Sequence, residues 1–247
     1  MNWNHYDLIV FDLDNTLAMS KLSIDSKMSK LFTKLLDIRK IAVISGGGFG
    51  QIKKELLDML PENSNFQNLH LFPTDGGAYY RWNGKWEPVY INSLSDDAKS
   101  KIKEAVFETL EETALKTENP MGELLEDRGS AMVFSGLGQE ALLENKQKWD
   151  PDESKRFLIK KILDEKLPDF EVSVAGTTSI DITRKGIDKA YGIRKMVEYI
   201  NVPLEKIVFI GDALFPGGND NAVIETGIKI VSVRDPEDTK KIIKEII

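Results

Sequence analysis

The sequence contains no cysteine and only two histidines, His5 and His70, among its 247 residues. Disulfides and thiolate metal sites are therefore excluded, and imidazole chemistry has little to work with. The lack of cysteine fits a reducing compartment. No apolar run is long enough for a membrane span, and the opening Met-Asn-Trp-Asn-His-Tyr-Asp lacks the basic, then apolar, pattern of a signal peptide. Basic residues are not in excess: 33 Lys plus Arg against 40 Asp plus Glu leave a formal charge of −7. That balance argues against nucleic acid as a partner, but local cations can still hold an anionic substrate. Low-complexity segments and long linkers are also missing. What remains is ordinary globular composition, 41% hydrophobic and 30% charged. The length suits one large domain or a core with an insert, and a cytoplasmic enzyme is expected.

Against this background one segment stands out. Residues 8–17 read Leu-Ile-Val-Phe-Asp-Leu-Asp-Asn-Thr-Leu, an apolar strand without polar alternation that runs into Asp12 and Asp14. Such a strand is covered on both faces, as in a parallel sheet, and its C-terminal end is where open α/β sheets bind ligands. Two close carboxylates repel unless a cation or a proton lies between them, so carboxylate chemistry with a hard metal is the natural reading.

The pattern then alternates. A helix is predicted over 25–38, a strand over 40–45 ending in Ser45-Gly46-Gly47-Gly48, a helix over 50–60 and a strand over Leu69–Pro73. A hairpin over 78–90 turns at Asn83-Gly84. A long helix over 95–116 opens a different scheme: strands at 123–128 and 131–136, a helix at 152–166, and strands at 170–174 and 179–183. Helix-strand-strand repeated twice predicts a four-stranded antiparallel sheet with helices on one face, an inserted α+β domain over 86–185. The α/β rhythm resumes with a helix over 188–200, a strand over 206–210 ending at Gly211-Asp212, and a short helix at 219–226. A strand at 228–233 and a helix at 236–246 close the chain. The first core is thus 1–85 with 186–247.

Strand and helix ends bring Asp12, Asp14, Ser45, Lys189, Asp212, Asn219 and Asp220 toward one edge of that core. Each type has a use in phosphoryl transfer. Asp12 can be a nucleophile that forms an aspartyl phosphate, and Asp14 can exchange a proton with the leaving oxygen. Asp12, the Asp14 carbonyl and Asp212 make an oxygen-rich site for Mg²⁺. Ser45 and the N–H groups of Gly46 and Gly47 suit phosphate oxygens, and Lys189 opposes developing negative charge. Blander readings exist for each taken alone: a turn for Asp-x-Asp, a helix cap for Asn219-Asp220, a solvated lysine at 189. Trp82 and Trp86 read as packing around the hairpin, and His5 and His70 as structural or exposed.

Taken in order, Asp12-Leu-Asp-Asn-Thr16, Ser45-Gly46, Lys189 and Gly211-Asp212 through Asn219-Asp220 resemble the haloacid dehalogenase superfamily. The position of the insert is similar to its αββ, Cof-type caps. Gly211-Asp-Ala-Leu-Phe-Pro-Gly-Gly-Asn-Asp220, Arg234-Asp-Pro-Glu-Asp-Thr, Gly186-Ile-Asp-Lys189 and Ser179-Ile-Asp181 resemble, more narrowly, the eukaryotic-type phosphomannomutases. The resemblance implies a Rossmann-like parallel-sheet core with an inserted cap, Mg²⁺ as cofactor, and a sugar phosphate as the small-molecule substrate. It also implies pairing of two chains through the cap, with neither nucleic acid nor membrane as a partner. Asn219 and Asp220 fall with the phosphate-side residues Ser45, Gly46, Gly47 and Lys189. Arg128, Ser179 and Asp181 match cap groups that meet the distal phosphate and sugar hydroxyls.

Three positions depart from the pattern: Gln139 and Lys146 stand where arginines are expected in the cap, and Lys21 where one follows the first motif. Lysine is a point charge without the bidentate fork of arginine. Losing a charge-assisted contact costs roughly 1.5–3 kcal/mol. A mutase must clamp either phosphate of a bisphosphorylated sugar, whereas a phosphatase needs one docking mode. The sequence therefore ranks a sugar-phosphate phosphatase slightly ahead of a phosphomannomutase, with a silent sugar-phosphate-binding regulator third.

Overall fold

The apolar run after Asp7 forms β1 (Leu8–Asp12), buried at every residue in a computed structural model that describes all residues except Lys116, Pro216 and Gly217. Its parallel neighbours are β2 (Lys40–Ser45) on one side and β10 (Ile207–Gly211) on the other. The core sheet continues outward through β11 (Lys229–Ser232) on the β10 side. On the β2 side follow β3 (Leu69–Pro73), parallel, then β4 (Ala78–Trp82) and β5 (Trp86–Ile91), antiparallel. The order is β11-β10-β1-β2-β3-β4-β5. This is the α/β, Rossmann-like core expected.

Because side chains alternate across a strand, β1 feeds two apolar layers. Ile9 and Phe11 join Ile41, Val43, Leu71 and Ile210 against helix α1 (Ser26–Ile38), whose Met28, Leu31, Phe32, Leu35 and Leu36 recur at helical spacing. Leu8 and Val10 join Ala42, Ile44, Phe72 and Phe209 on the opposite face, against Ile193 and Met196 of α6 (Lys189–Ile200). Aspartates start these helices: Asp25 accepts the N–H groups of Lys27 and Met28, Asp188 that of Tyr191, and Asp235 that of Asp238 at α7 (Pro236–Ile246). Lys240 of α7, buried, donates to Asp25 and Glu237 and so ties α7 to the start of α1. The turn Thr74–Gly76 lies directly on α6: a Cβ on Gly76 would stand 2.4 Å from Gly192 Cα, and one on Gly192 2.4 Å from Ile44 Cδ1.

The second unit, 92–187, holds α3 (Asp96–Thr113), β6 (Leu125–Asp127), β7 (Ala131–Ser135), α4 (Leu143–Trp149), α5 (Ser154–Lys166), β8 (Phe170–Ala175) and β9 (Ser179–Arg184). Its antiparallel sheet runs β6-β7-β9-β8. Ile102, Val106 and Leu110 of α3 and Ile159 and Leu163 of α5 pack with Met132, Phe134, Val172, Ile180 and Ile182. Both helices thus cover one face of the sheet, as the repeated scheme predicts. Arg156 is buried with Asp150 (Nε to Oδ2, 2.8 Å) and donates to Gly176 O, joining the α4–α5 junction to the β8–β9 turn.

Four boundaries differ from the sequence reading. Residues 86–91 belong to the core, because β5 pairs with β4 in the core sheet, so the first core segment reaches Ile91. Gly186 and Ile187 stay with the cap, where Thr183 Oγ1 donates to Ile187 O at 3.3 Å. The helix expected over 50–60 is α2 (Phe49–Glu55) followed by a 3₁₀ turn, Leu57–Met59, and that at 219–226 is a 3₁₀ segment, Asn221–Thr226. Helix α4 was not expected at all. The predicted end of the 95–116 helix, Lys116, lies outside the described residues. Among the described residues no helix is long and apolar enough to cross a membrane.

Candidate active site

The parallel order places Asp12, the last residue of β1, beside the ends of β2 and β10. Asp12 is 2% exposed. Lys189, at the first turn of α6, is brought to it by the Asp188 cap, and its Nζ donates to Asp12 Oδ1 at 2.6 Å and to Asp220 Oδ1 at 2.5 Å. Asp220 Oδ2 accepts the Ala213 N–H at 3.1 Å, which pins the loop after β10. Carboxylate oxygens of Asp12, Asp212 and Asp220 lie within 4.8 Å of one another. The sequence reading grouped the Asp14 backbone carbonyl, not Asp220, with the metal ligands. In the structure the Asp14 carboxylate accepts Lys21 N–H at 2.9 Å, and Asp220 completes the acidic cluster.

Electrostatics follow from this crowding. Burial pushes the Asp12 carboxyl well above its ordinary range; Lys189 opposes the shift and the Asp220 charge adds to it. Asp212 is raised by burial and then by Asp220. Burial would lower the Lys189 ammonium, but Asp12, Asp220 and Asp75 together hold it above its ordinary value, firmly charged. Three acids around one ammonium leave an excess of negative charge, and Asp12 Oδ2 is buried without a hydrogen-bond partner. An oxygen-seeking divalent cation would satisfy both conditions, so the residues present fit Mg²⁺.

Polar groups at the neighbouring strand ends surround the acids. Thr16 Oγ1 donates to Asp212 Oδ1 at 3.4 Å. Ser45 Oγ, buried at the end of β2, accepts Gly47 N–H at 3.0 Å, and Thr74 N–H donates to Gly47 O at 3.0 Å. A Cβ at Gly47 would meet the Gln51 carboxamide at 2.6 Å, so a larger residue there would displace that side chain. Asn219 is exposed in its turn, and Pro216 and Gly217 of the same motif lie outside the described residues. Two acids escaped the sequence reading. Asp75, in the turn on α6, contributes to the charge of Lys189. Glu55, 5% exposed, is pushed up to about 7 by burial and by the Asp14 charge, and accepts from Gln51 Nε2 at 3.3 Å. Its place on the apolar face of α2, three residues after Ile52, was the available signal.

In the cap, Glu126, Val133, Asp181 and Ser173 are register partners across the sheet, as are Ser135 and Ser179. Paired residues point to one face, so Ser179 and Asp181 share the face opposite the helices. Arg128, just past β6, donates through Nε and Nη2 to Glu126 Oε2 at 2.9 and 2.8 Å. Gln139 Nε2 donates to Val133 O at 3.0 Å, and buried Lys146 donates to Gln139 O at 2.8 Å. His70, for which the sequence offered no partner, bonds Tyr79 Oη through Nδ1 at 2.8 Å, and Trp82 and Trp86 pack on Phe66.

The sequence model of the family described as eukaryotic phosphomannomutase matches residues 28–247. The chain is 26% identical over 240 residues to a phosphomannomutase of Encephalitozoon cuniculi (strain GB-M1), covering 94% of this chain and 90% of that one. With the phosphomannomutase of Spinacia oleracea the identity is 25% over 246 residues, covering 97% and 95%. Among solved structures, a haloacid dehalogenase-like hydrolase from Bacteroides thetaiotaomicron superposes with a TM-score of 0.65 at 17% identity, over 98% of this chain and 100% of that one. An IMP-bound Plasmodium falciparum IMP-nucleotidase mutant gives 0.70 at 16% identity, over 99% of this chain and 67% of that one. These two likenesses concern the fold.

Proposed function

Because the chain belongs to the eukaryotic phosphomannomutase family, we propose that this phosphoryl-transfer enzyme interconverts the 6- and 1-phosphates of a hexose, with mannose phosphate as the reference substrate. The observation that carries the reading is the buried Lys189 bridge between Asp12 and Asp220 at the carboxyl edge of the sheet. Asp12 attacks phosphorus through a carboxylate oxygen, the ester P–O bond breaks, and the departing sugar oxygen takes a proton from Asp14. In the return step a second sugar hydroxyl attacks the aspartyl phosphate, giving its proton to Asp14 and freeing Asp12. Lys189 stays charged throughout and opposes the negative charge gathering on the phosphoryl oxygens. Asp12, Asp212 and Asp220 would hold Mg²⁺, which supplies neutralisation of the phosphoryl group when bound. The Ser45 hydroxyl, held from behind by the Gly47 N–H, donates to the transferred phosphate. Arg128, Ser179 and Asp181 take the distal phosphate and hydroxyls. The reading includes a cytoplasmic location and pairing of two chains through the cap.

Hydrolysis, first from the sequence, is second here, since the curated relatives matched along nearly their whole length are mutases. One observation favours it: Gln139 and Lys146 direct polar atoms to cap backbone carbonyls. The test is incubation with mannose 6-phosphate and Mg²⁺, with and without a hexose bisphosphate. Mannose 1-phosphate formed only with the activator is the expected result; free phosphate released without it would replace the mutase reading by hydrolysis.

A further inference from the structure

The turn between β3 and β4 is built against the preferences of its own backbone. Thr74, Asp75 and Gly76 follow one another with φ of +50°, +54° and +89°, all left-handed. Glycine takes such a conformation freely and aspartate tolerates it, but for the β-branched Thr74 it is an outlier. Strain of this kind persists only where the surroundings over-determine the segment. Here they do. Thr74, 2% exposed, donates its N–H to Gly47 O at 3.0 Å and its Oγ1 to Pro73 O at 2.7 Å. Gly77 N–H closes the turn on Thr74 O at 2.8 Å. Gly76 lies against α6, where a Cβ would stand 2.4 Å from Gly192 Cα. From β5, at the edge of the core sheet, Tyr90 Oη donates to Gly76 O at 2.8 Å. The Tyr90 ring is 5.0 Å from that of Tyr199 on α6 and 6.1 Å from that of Tyr79. Burial holds the Tyr90 hydroxyl above its ordinary range, so it stays a donor.

These ties reach two sides of the candidate active site. Pro73 is the register partner of Ser45, and Gly47 lies in the loop that follows Ser45. Gly192 lies one turn beyond Lys189 on α6. The same turn carries Asp75, whose charge acts on the Lys189 ammonium. We propose that Thr74–Gly76 is a strained strut that holds the Ser45 loop and Lys189 at one spacing, with Thr74 and Tyr90 as positioning residues for phosphoryl transfer. This deepens the proposed function and rests on Ser45 and Lys189 meeting the transferred phosphate. A relaxed turn would let either group drift, and a misplacement of about 1 Å can cost on the order of a hundredfold in rate. Lys189 opposes charge that grows as the phosphoryl group moves, so the loss falls on turnover more than on substrate binding.

The experiment is a double-mutant cycle of Tyr90→Phe, Thr74→Gly and the pair in the full chain. Tyr90→Phe removes the hydroxyl alone, and Thr74→Gly removes the left-handed strain together with the side chain. Stability is read by urea midpoints. Turnover is read as sugar 1-phosphate plus free phosphate from mannose 6-phosphate, with Mg²⁺ and a hexose bisphosphate present. Site geometry is read by calorimetry of orthovanadate, whose five-coordinate adducts imitate a phosphoryl group in transfer. Each single variant is expected to lower kcat and orthovanadate affinity about tenfold, with KM within about threefold of wild type. The Thr74→Gly midpoint should equal or exceed that of wild type, the released strain offsetting the lost side chain. The pair should lose less than the product of the two single losses, because both act through one turn. A role in packing alone would lower kcat and the urea midpoint together in both variants, and that result overturns the strut. So do kcat and orthovanadate affinity within about twofold of wild type in Tyr90→Phe, which decides alone if Thr74→Gly fails to fold. A wild type that neither turns over nor binds orthovanadate is a different failure: there the phosphoryl-transfer reading falls first, and the strut's role with it.

Discussion

In the core, Lys189 is fully buried between Asp12 and Asp220, and its three neighbours in charge are all acids of the candidate active site. In the cap, Lys146 is nearly as buried, yet its ammonium donates to the Gln139 carbonyl, and Arg128 pairs with the half-exposed Glu126. Buried ion pairs add little to stability compared with an apolar substitute, but removing one member leaves an uncompensated charge at a cost of several kcal/mol. The core thus holds a set of charges that can be relieved only together, poised for an entering cation or phosphate. In the cap, Arg128 meets a carboxylate on the adjacent strand, and the buried Arg156–Asp150 pair ties the α4–α5 junction to the β8–β9 turn. On the proposed function, the chemistry falls to the mutually dependent group and substrate choice to side chains that can change one at a time.

The contrast can be broken most directly at Asp12. Asp12→Asn should lower phosphoryl transfer by on the order of 10³-fold or more, measured as sugar 1-phosphate plus free phosphate, because the nucleophile is lost. Retention of near wild-type turnover would remove the core from the mechanism. Next, Lys189→Met should destabilise the protein by about 3–5 kcal/mol in urea unfolding, since two buried carboxylates lose their cation. Added Mg²⁺ should recover more stability in this variant than in the wild type, by binding the native state alone; no gain in either protein would mean the cluster holds no cation.

A smaller change sharpens the cap side. Gln139→Arg should raise the ratio of mutase to hydrolase product by roughly tenfold, the weight of one charge-assisted contact. An unaltered ratio would show that this position does not choose the acceptor. The smallest effect concerns Glu55, whose carboxyl is pushed from its ordinary 4.5 to about 7. The folded state then binds the proton more tightly than the unfolded chain. The contribution of Glu55 to stability is complete below pH about 4.5 and is lost as pH rises through about 7. Glu55→Gln should therefore gain stability relative to wild type at pH 8 but not at pH 4, as read by urea midpoints.

Much of the core was legible because its signals are local. An unbroken apolar strand before Asp12, Ser45 before three glycines, and Gly211-Asp212 after another apolar strand each announce a strand end. Parallel pairing does the rest. What escaped depends on distant chain segments. Asp220 joins Asp12 and Asp212 only because Lys189 and the Ala213 amide hold it there, and nothing in Asn219-Asp220 distinguishes a ligand from a cap. Strand β5 was assigned to the insert because a hairpin pattern carries no mark of the sheet it joins. Helix α4 was hidden by its composition: its Leu-Glu-Asn-Lys-Gln-Lys-Trp has no apolar stripe, and it is held by its surroundings, with Lys146 bonded to Gln139 and Trp149 against Gly136. Lys21 donates its backbone N–H to Asp14, so the residue that seemed to matter for its charge also shapes the loop behind the acid.

The contact between Gly76 and Gly192 gives the core a fixed altitude. With neither residue able to carry a Cβ at its present spacing, the turn and the helix rest backbone on backbone, and Lys189 begins that helix one turn earlier. A methyl group at either position would act as a shim, lifting the ammonium from the carboxylates it bridges. In a saturation library scored by turnover, these two side-chain-free positions should be as intolerant as the acids themselves, though neither touches substrate.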